Sequence, residues 1–337
     1  MVRHAAIIRA AVLSMLLAVA LVGSASAEAI KIGLLRVSAT GPIYVAIDRG
    51  YFAAEGLEPQ LVYFESGPPV PAGIVAGDLD FGASALTGGF YNLASHGALT
   101  IIAGLAREMP GFENQGYLVN KRLYDGGFKT LKQFAGHSVA VTAAGGPAHY
   151  AVGLLADKDG FDLGSVRIVV TQSLSNAVAA VETAQVDTTV ISMTPALPQL
   201  LAKGDVKLLG WVGDETPWQY GAIITSRRNA DRPDLIAHFL AAYRRGAQDY
   251  HDAFAGSDGA RRDGPDAPAI LAIVAKYTGL TEAGVKLGVT YADAQGRLDI
   301  KDVRHQIDWY RAHGFIKGEV NADAIIDPRY VKDLSAH

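Results

Sequence analysis

The stretch from residue 41 to 93 reads GPIYVAIDRGYFAAEGLEPQLVYFESGPPVPAGIVAGDLDFGASALTGGFYNL, and it restricts the fold more than any other part of the chain. Apolar runs of strand length alternate with helix-length segments, and glycine and proline mark each changeover. A strand over 30–35 leads to a helix over 42–49 that Gly50 stops. A strand over 61–64 passes through Ser66-Gly67-Pro68-Pro69 into a helix over 70–76, which Gly77 and Asp78 end. A strand over 80–83, a helix over 86–95 and a strand over 100–105 complete the run. Such alternation predicts a parallel sheet covered by helices on both faces.

The pattern breaks over 107–116, where charge, a proline and two glycines replace any strand or helix period, and it restarts at Thr130. A short helix with a Thr130/Gln133 capping box is followed by strands over 138–141, 166–170, 188–191 and 206–211. Helices over 147–158, 176–183 and 195–203 lie between those strands. A second aperiodic joint, DETPWQY over 214–220, precedes a strand over 222–225 and a mostly helical remainder, with helices over 233–254, 267–277, 281–287 and 303–312. A chain that leaves one α/β unit, builds a second and returns has two connecting segments, which mechanically is a hinge. The expected division is a first lobe of 28–107 with 221–337, a second lobe of 117–211, and crossings at 108–116 and 212–220. The C-terminal helices are expected to buttress the first lobe.

Residues 1–27 read as an export signal. Arg3, His4 and Arg9 make a basic start, an apolar run covers 10–22, and Ala25-Ser26-Ala27 is a small-x-small cleavage site, with cleavage expected after Ala27. The apolar run is shorter than the ~20 residues that a spanning helix needs. The absence of cysteine excludes disulfides, thiolate metal sites and a lipid-bearing cysteine after the signal. These features predict a free periplasmic protein, expected to be a monomer. A formal charge of −4 offers no footprint for nucleic acid. With 50% hydrophobic and 19% charged residues, the chain can fill one or two packed cores.

Four loops fall where a strand gives way to a helix, the place where open parallel sheets bind ligands because the free N–H groups of the helix point outward. They are RVSATGP (36–42), ESGPP (65–69), ASALT (83–87) and AAGGPAHY (143–150). Their side chains are mostly small or hydroxyl-bearing, so a ligand can approach the backbone. Arg36 is the one fixed cation among them and the candidate partner of a carboxylate, sulfonate or phosphate. It can equally pair with Glu65, and Glu65 itself would favour a ligand carrying an amine or ring N–H. Tyr44, Tyr150, Trp218 and Tyr220 are candidates for stacking on a flat ligand. Phe90 and Tyr91 stand at helical spacing, where an aromatic usually belongs to the core.

In order and spacing the 41–93 stretch resembles the first lobe of periplasmic substrate-binding proteins of ABC importers, the group serving nitrate, sulfonate, taurine and thiamine-pyrimidine uptake. The resemblance implies a two-lobed α/β fold of the periplasmic-binding-protein type (type II) with two interlobe crossings. It further implies a small-molecule ligand in the interlobe cleft, no cofactor, and a membrane permease with its ATPase as partners. In that group these same loops contact ligand, so the resemblance makes Ser38, Thr40, Gly41, Ser66, Gly67, Ser84, Gly145, Gly146 and His149 contacts. Where many relatives carry an acidic or aromatic pair before proline, this chain has Ser192-Met193-Thr194-Pro195, with Thr194 the candidate from that loop.

Little points to catalysis. The histidines show no metal-ligand spacing, and HExxH, Walker A and GxSxG are missing. Asp78 and Asp80 read as turn and strand-start residues. The expected ligand is a small organic anion, a sulfonate or aromatic carboxylate, with a thiamine pyrimidine precursor or other heterocycle as the alternative. An exported enzyme or a solute sensor on the same fold are the alternatives of another class.

Overall fold

A computed structural model describes residues 27–335; the signal segment, apart from Ala27, lies outside the described residues. Ten strands form two sheets. The first contains β1 (Glu28–Leu35), β2 (Leu57–Phe64), β3 (Phe81–Ala85), β4 (Leu99–Gly104) and β10 (Gly221–Ser226), in the order β2-β1-β3-β10-β4. The second contains β5 (Gln115–Asn120), β6 (Ser138–Val141), β7 (Arg167–Val170), β8 (Thr188–Ser192) and β9 (Val206–Trp211), in the order β7-β6-β8-β5-β9. Pro59 sits in β2, an edge strand, where a missing N–H costs no ladder bond.

The expected all-parallel sheets are not observed. β10 lies antiparallel between β3 and β4, and β5 lies antiparallel between β8 and β9. The reason is directional. Strands β1 and β3 run toward the cleft, whereas β10 and β5 each follow a crossing, start at the cleft and run away from it. The sequence reading assigns no element between Gly116 and Thr130; β5 starts at Gln115, overlapping the expected first crossing, and a short helix follows over Lys121–Asp125. The two crossings run side by side. Glu108 N–H donates to Trp218 O at 2.9 Å, and Trp218 N–H returns a bond to Glu108 O at 3.2 Å.

The helices that concern the cleft are α1 (Gly41–Asp48), α2 (Pro69–Ala76), α3 (Gly88–Ser95), α4 (Pro147–Asp159) and α5 (Leu174–Glu182). Proline in the first turn of α1, α2 and α4 uses positions whose N–H has no helical partner. Gly77 (φ 85°) and Gly160 (φ 74°) end α2 and α4 in the left-handed conformation that glycine adopts without a Cβ penalty.

Among the helices that follow β10 are α6 (Pro233–Phe254), α7 (Ala267–Thr278), α8 (Glu282–Lys286) and α9 (Ile300–Ala312). α6 packs on α1 so closely that a Cβ at Gly246 would lie 2.3 Å from Pro42 O. While α6 lies on α1, α9 grips α4 as well. Tyr150 of α4 makes a 2.9 Å hydrogen bond to His305 and sets its ring edge-on to Trp309 at 5.0 Å.

Candidate functional site

Between the lobes lies a cavity of about 50 Å³, walled by both sheets and by Tyr220 of the second crossing. By the same measure one water needs roughly 10–15 Å³, so the cleft is nearly shut around a small space. Two backbone hydrogen bonds span it. Gly88 N–H, at the start of α3, donates to Gly145 O at 3.1 Å, and Leu174 N–H, at the start of α5, donates to Glu65 O at 3.1 Å.

Five helix amino ends surround this space. The N-cap residues of α1 (Thr40), α2 (Pro68), α3 (Thr87) and α4 (Gly146) line it, as does Leu174, the first residue of α5. Each contributes the positive end of a helix dipole. Few donors remain there, because Pro42, Pro69, Pro71 and Pro147 have no N–H, Gly88 and Leu174 are tied across the cleft, and Thr87 Oγ1 accepts the Phe90 amide at 3.0 Å. The first-turn amides of Ala148 and His149 in α4 have no carbonyl within their own helix to bond. The rest of the lining is apolar, with Leu35, Val37, Leu105, Ala140, Val190 and Ile191 prominent. Among the described residues, no Asp, Glu, Lys, Arg or His belongs to the lining.

Of the sequence candidates, the structure brings Thr40, Gly67, Ser84, Gly146 and Tyr220 onto the cavity. The others lie elsewhere. Arg36 is exposed, with its guanidinium 3.6 Å above the Tyr63 ring and Nη1 donating to Tyr277 O at 3.1 Å; it touches neither the cavity nor Glu65. Glu65 is exposed and accepts, through its carbonyl, the Leu174 amide; Ser66 beside it is half-buried and off the lining. Ser38 and Thr194 are buried off the lining, and neither hydroxyl has a partner. Gly41 is packed under the Tyr250 ring, and Gly145 takes φ 66° beneath Phe315.

The candidate stacking aromatics are mostly structural. Tyr44 is buried, donates to Leu35 O at 3.1 Å and stacks on Tyr277 with ring centroids 5.0 Å apart; burial pushes its hydroxyl far above the usual tyrosine range. Tyr150 and Trp218 meet edge-on at 4.8 Å inside the interlobe contact. Only Tyr220 reaches the cavity, and burial pushes its hydroxyl up to about 12, so it stays neutral. His149 accepts the Gly145 amide at Nδ1 (3.3 Å) and lies against Phe315; burial, with His313 adding to it, lowers it to about 4 and leaves it uncharged near neutrality.

Sequence reasoning missed Gln115, Thr142, Thr189 and Ser192, all on the lining. Thr142 follows β6 and Ser192 ends β8, so the strand-end rule used for the other loops was signal enough for these two. Gln115 carried no signal, since it falls in a segment without period.

In the first crossing, Glu108 is fully enclosed. Burial pushes its carboxyl up to about 8, against the easing effect of the Asn114 side chain, whose Nδ2 donates to Oε1 at 2.7 Å, and of the Gln115 backbone. Among the described residues no cluster of three or more His, Cys, Asp or Glu is arranged to hold a metal.

A search of curated proteins found no match. Solved structures match over nearly the whole chain. The alkanesulfonate-binding protein SsuA from Xanthomonas axonopodis pv. citri, bound to MOPS, superposes with TM-score 0.72 at 18% identity, covering 89% of this chain and 98% of its own. The periplasmic aliphatic sulphonate-binding SsuA from Escherichia coli gives 0.68 at 17%, covering 92% and 94%. The periplasmic nitrate-binding protein NrtA from Synechocystis PCC 6803 gives 0.68 at 14%, covering 88% and 84%. At these identities the likeness shows the fold, a two-lobed α/β binding-protein architecture. The NMT1/THI5-like family model matches residues 38–253, well over half of the chain, including the 41–93 stretch and both crossings, and the chain therefore belongs to the NMT1/THI5-like family.

Proposed function

We propose that this protein is the solute-binding component of an ABC importer, working in the periplasm after export. It captures a small organic anion, a sulfonate or carboxylate, in the interlobe cleft and delivers it to a membrane permease and its ATPase. The observation that carries this reading is a cavity without fixed charge, apolar in its walls and ringed by five helix amino ends. Helix amino ends favour an oxyanion head, and the aliphatic walls favour a hydrocarbon body. The sulfonate ligands named for two of the structural neighbours agree with that chemistry. A bare inorganic anion would leave the aliphatic walls unused. A heterocycle stacked between aromatics finds only Tyr220 for support.

A ligand touching both lobes stabilises the closed arrangement by its differential affinity, and that arrangement is the one to dock on the permease. The reading is of capture rather than conversion, because the lining pairs no nucleophile with a base.

A thermal-shift panel of sulfonates, carboxylates, nitrate, polyamines and pyrimidines tests it on the chain from Glu28 onward. A ligand at 100 times its Kd adds about 2.7 kcal/mol of stability, enough to move the melting temperature by a few degrees. Shifts from sulfonates or carboxylates, with the compound recovered unchanged, support the proposal. Shifts confined to polyamines or pyrimidines refute it.

A further inference from the structure

Six Asn and Gln side chains are buried among the described residues: Asn114, Gln115, Asn120, Gln219, Asn229 and Gln306. Five are tied into the protein. Asn114 donates to Glu108 and accepts from Thr290 at 3.2 Å; Asn120 donates to Val186 O and Asp187 O. Gln219 donates to Ala106 O and Gly221 O; Asn229 donates to Asp80 O; Gln306 donates to Gln219 O and accepts from Tyr91. Gln115 stands apart. It is 4% exposed, its Oε1 is sealed from solvent without a partner, and it lines the cavity.

Its place in the sheet explains how it reaches the ligand space. Gln115 is the first residue of β5 and sits directly opposite Ser192 of β8, so the two side chains project from the same face. Both belong to the lining, together with Tyr220. These three groups make a neutral polar patch at the crossing side of the cavity. A buried amide without a partner is destabilising, and a ligand that supplies the partner recovers that loss.

We infer that Gln115 is the specificity-determining residue of the cleft, its amide reading an uncharged hydrogen-bonding function on the body of the ligand. The preferred solute is then an anion carrying an amide, a hydroxyl or a ring N–H, in preference to a plain alkyl anion. This rests on the proposed capture of an organic anion, and the test separates the two.

Dissociation constants are measured by calorimetry for three probes: an alkyl sulfonate, a sulfonate of equal length with an internal amide, and a neutral amide of similar length. The wild type and Gln115→Leu, which keeps bulk and removes both donor and acceptor, are compared. The wild type is expected to prefer the amide-bearing sulfonate by about tenfold, the equivalent of one hydrogen bond, and Gln115→Leu to reduce that preference to within about twofold while still binding the alkyl sulfonate. Equal affinity of the two sulfonates in the wild type overturns the inference, as does a preference that survives in Gln115→Leu. Binding of the neutral amide that depends on Gln115, with neither sulfonate bound, supports the role of Gln115 and overturns the anion reading. Sulfonate binding that ignores Gln115 does the reverse.

Discussion

Replacing Gly153 with alanine probes whether the grip of α9 on α4 belongs to every state of the protein or only to the closed one. A Cβ at position 153 would lie 2.0 Å from Trp309 Cζ2 and 2.8 Å from Cε2. Carbon atoms prefer about 3.5–4.0 Å, so the indole has to retreat by roughly 1.5 Å. It has little room to do so: Trp309 is 6% exposed, stacks on His313 at 4.0 Å and meets Tyr150 at 5.0 Å and Tyr310 at 5.3 Å. Overpacking of this kind costs about 1–3 kcal/mol, while glycine to alanine inside a helix returns about 1 kcal/mol.

If the contact persists in the empty protein, Gly153→Ala lowers its stability by about 0–2 kcal/mol. If the lobes part when empty, the clash disappears in that state. The empty variant then gains up to about 1 kcal/mol, and ligand affinity falls by about 1–3 kcal/mol, or roughly 5- to 150-fold. The second outcome is the one a closing cleft predicts. Urea denaturation of the empty protein and calorimetry with ligand are read side by side. A variant that gains about 1 kcal/mol in stability and keeps wild-type affinity refutes the packing argument.

Two further outcomes follow from the site. Glu108 has a folded pKa raised to about 8 by burial, above the ordinary carboxylate value of about 4.3, so the folded state holds a proton that the unfolded state releases. Its contribution is therefore fully present below about pH 4 and is lost as pH rises toward 8, at a slope of up to about 1.4 kcal/mol per pH unit. Glu108→Gln keeps the acceptor for Asn114 and should flatten the stability profile between pH 5 and 8; denaturant midpoints across that range that fall equally steeply in both proteins contradict this. Arg36→Ala should leave ligand affinity within about twofold, since its guanidinium lies on Tyr63 outside the cavity; a loss above tenfold in a titration would show that Arg36 reaches the ligand.

Local signals carried much of the fold because each was a short-range event. Helix α6 begins at Pro233 and runs to Phe254, the span its apolar period indicates. The alternation that starts at Ile30 and the glycine stops after α1, α2 and α4 act within a few residues, where backbone sterics decide. Strand β5 stayed hidden because Gly116 interrupts its start and because its pairing with β8 and β9 depends on residues more than 60 positions away. The same holds for the direction of β10, which no local residue specifies.

For the site, the amino-acid order determined that small and hydroxyl-bearing residues would stand at the amino ends of helices, since N-capping and close approach are local requirements. Thr40 and Gly146 stand at the N-cap positions of α1 and α4, Gly67 just before α2 and Ser84 near the end of β3, and all four line the cavity. Only the tertiary structure decided which charges and rings face the ligand space. Arg36 turned outward because the Tyr63 face and the Tyr277 carbonyl offered it partners in solvent, where a cation avoids desolvation. Tyr44, Tyr150 and Trp218 were drawn into interfaces between helices and lobes, where burying large aromatic surface is worth more than leaving it on a cleft wall. Gln115 reached the cavity through strand pairing across the sheet, a long-range register that local sequence does not encode.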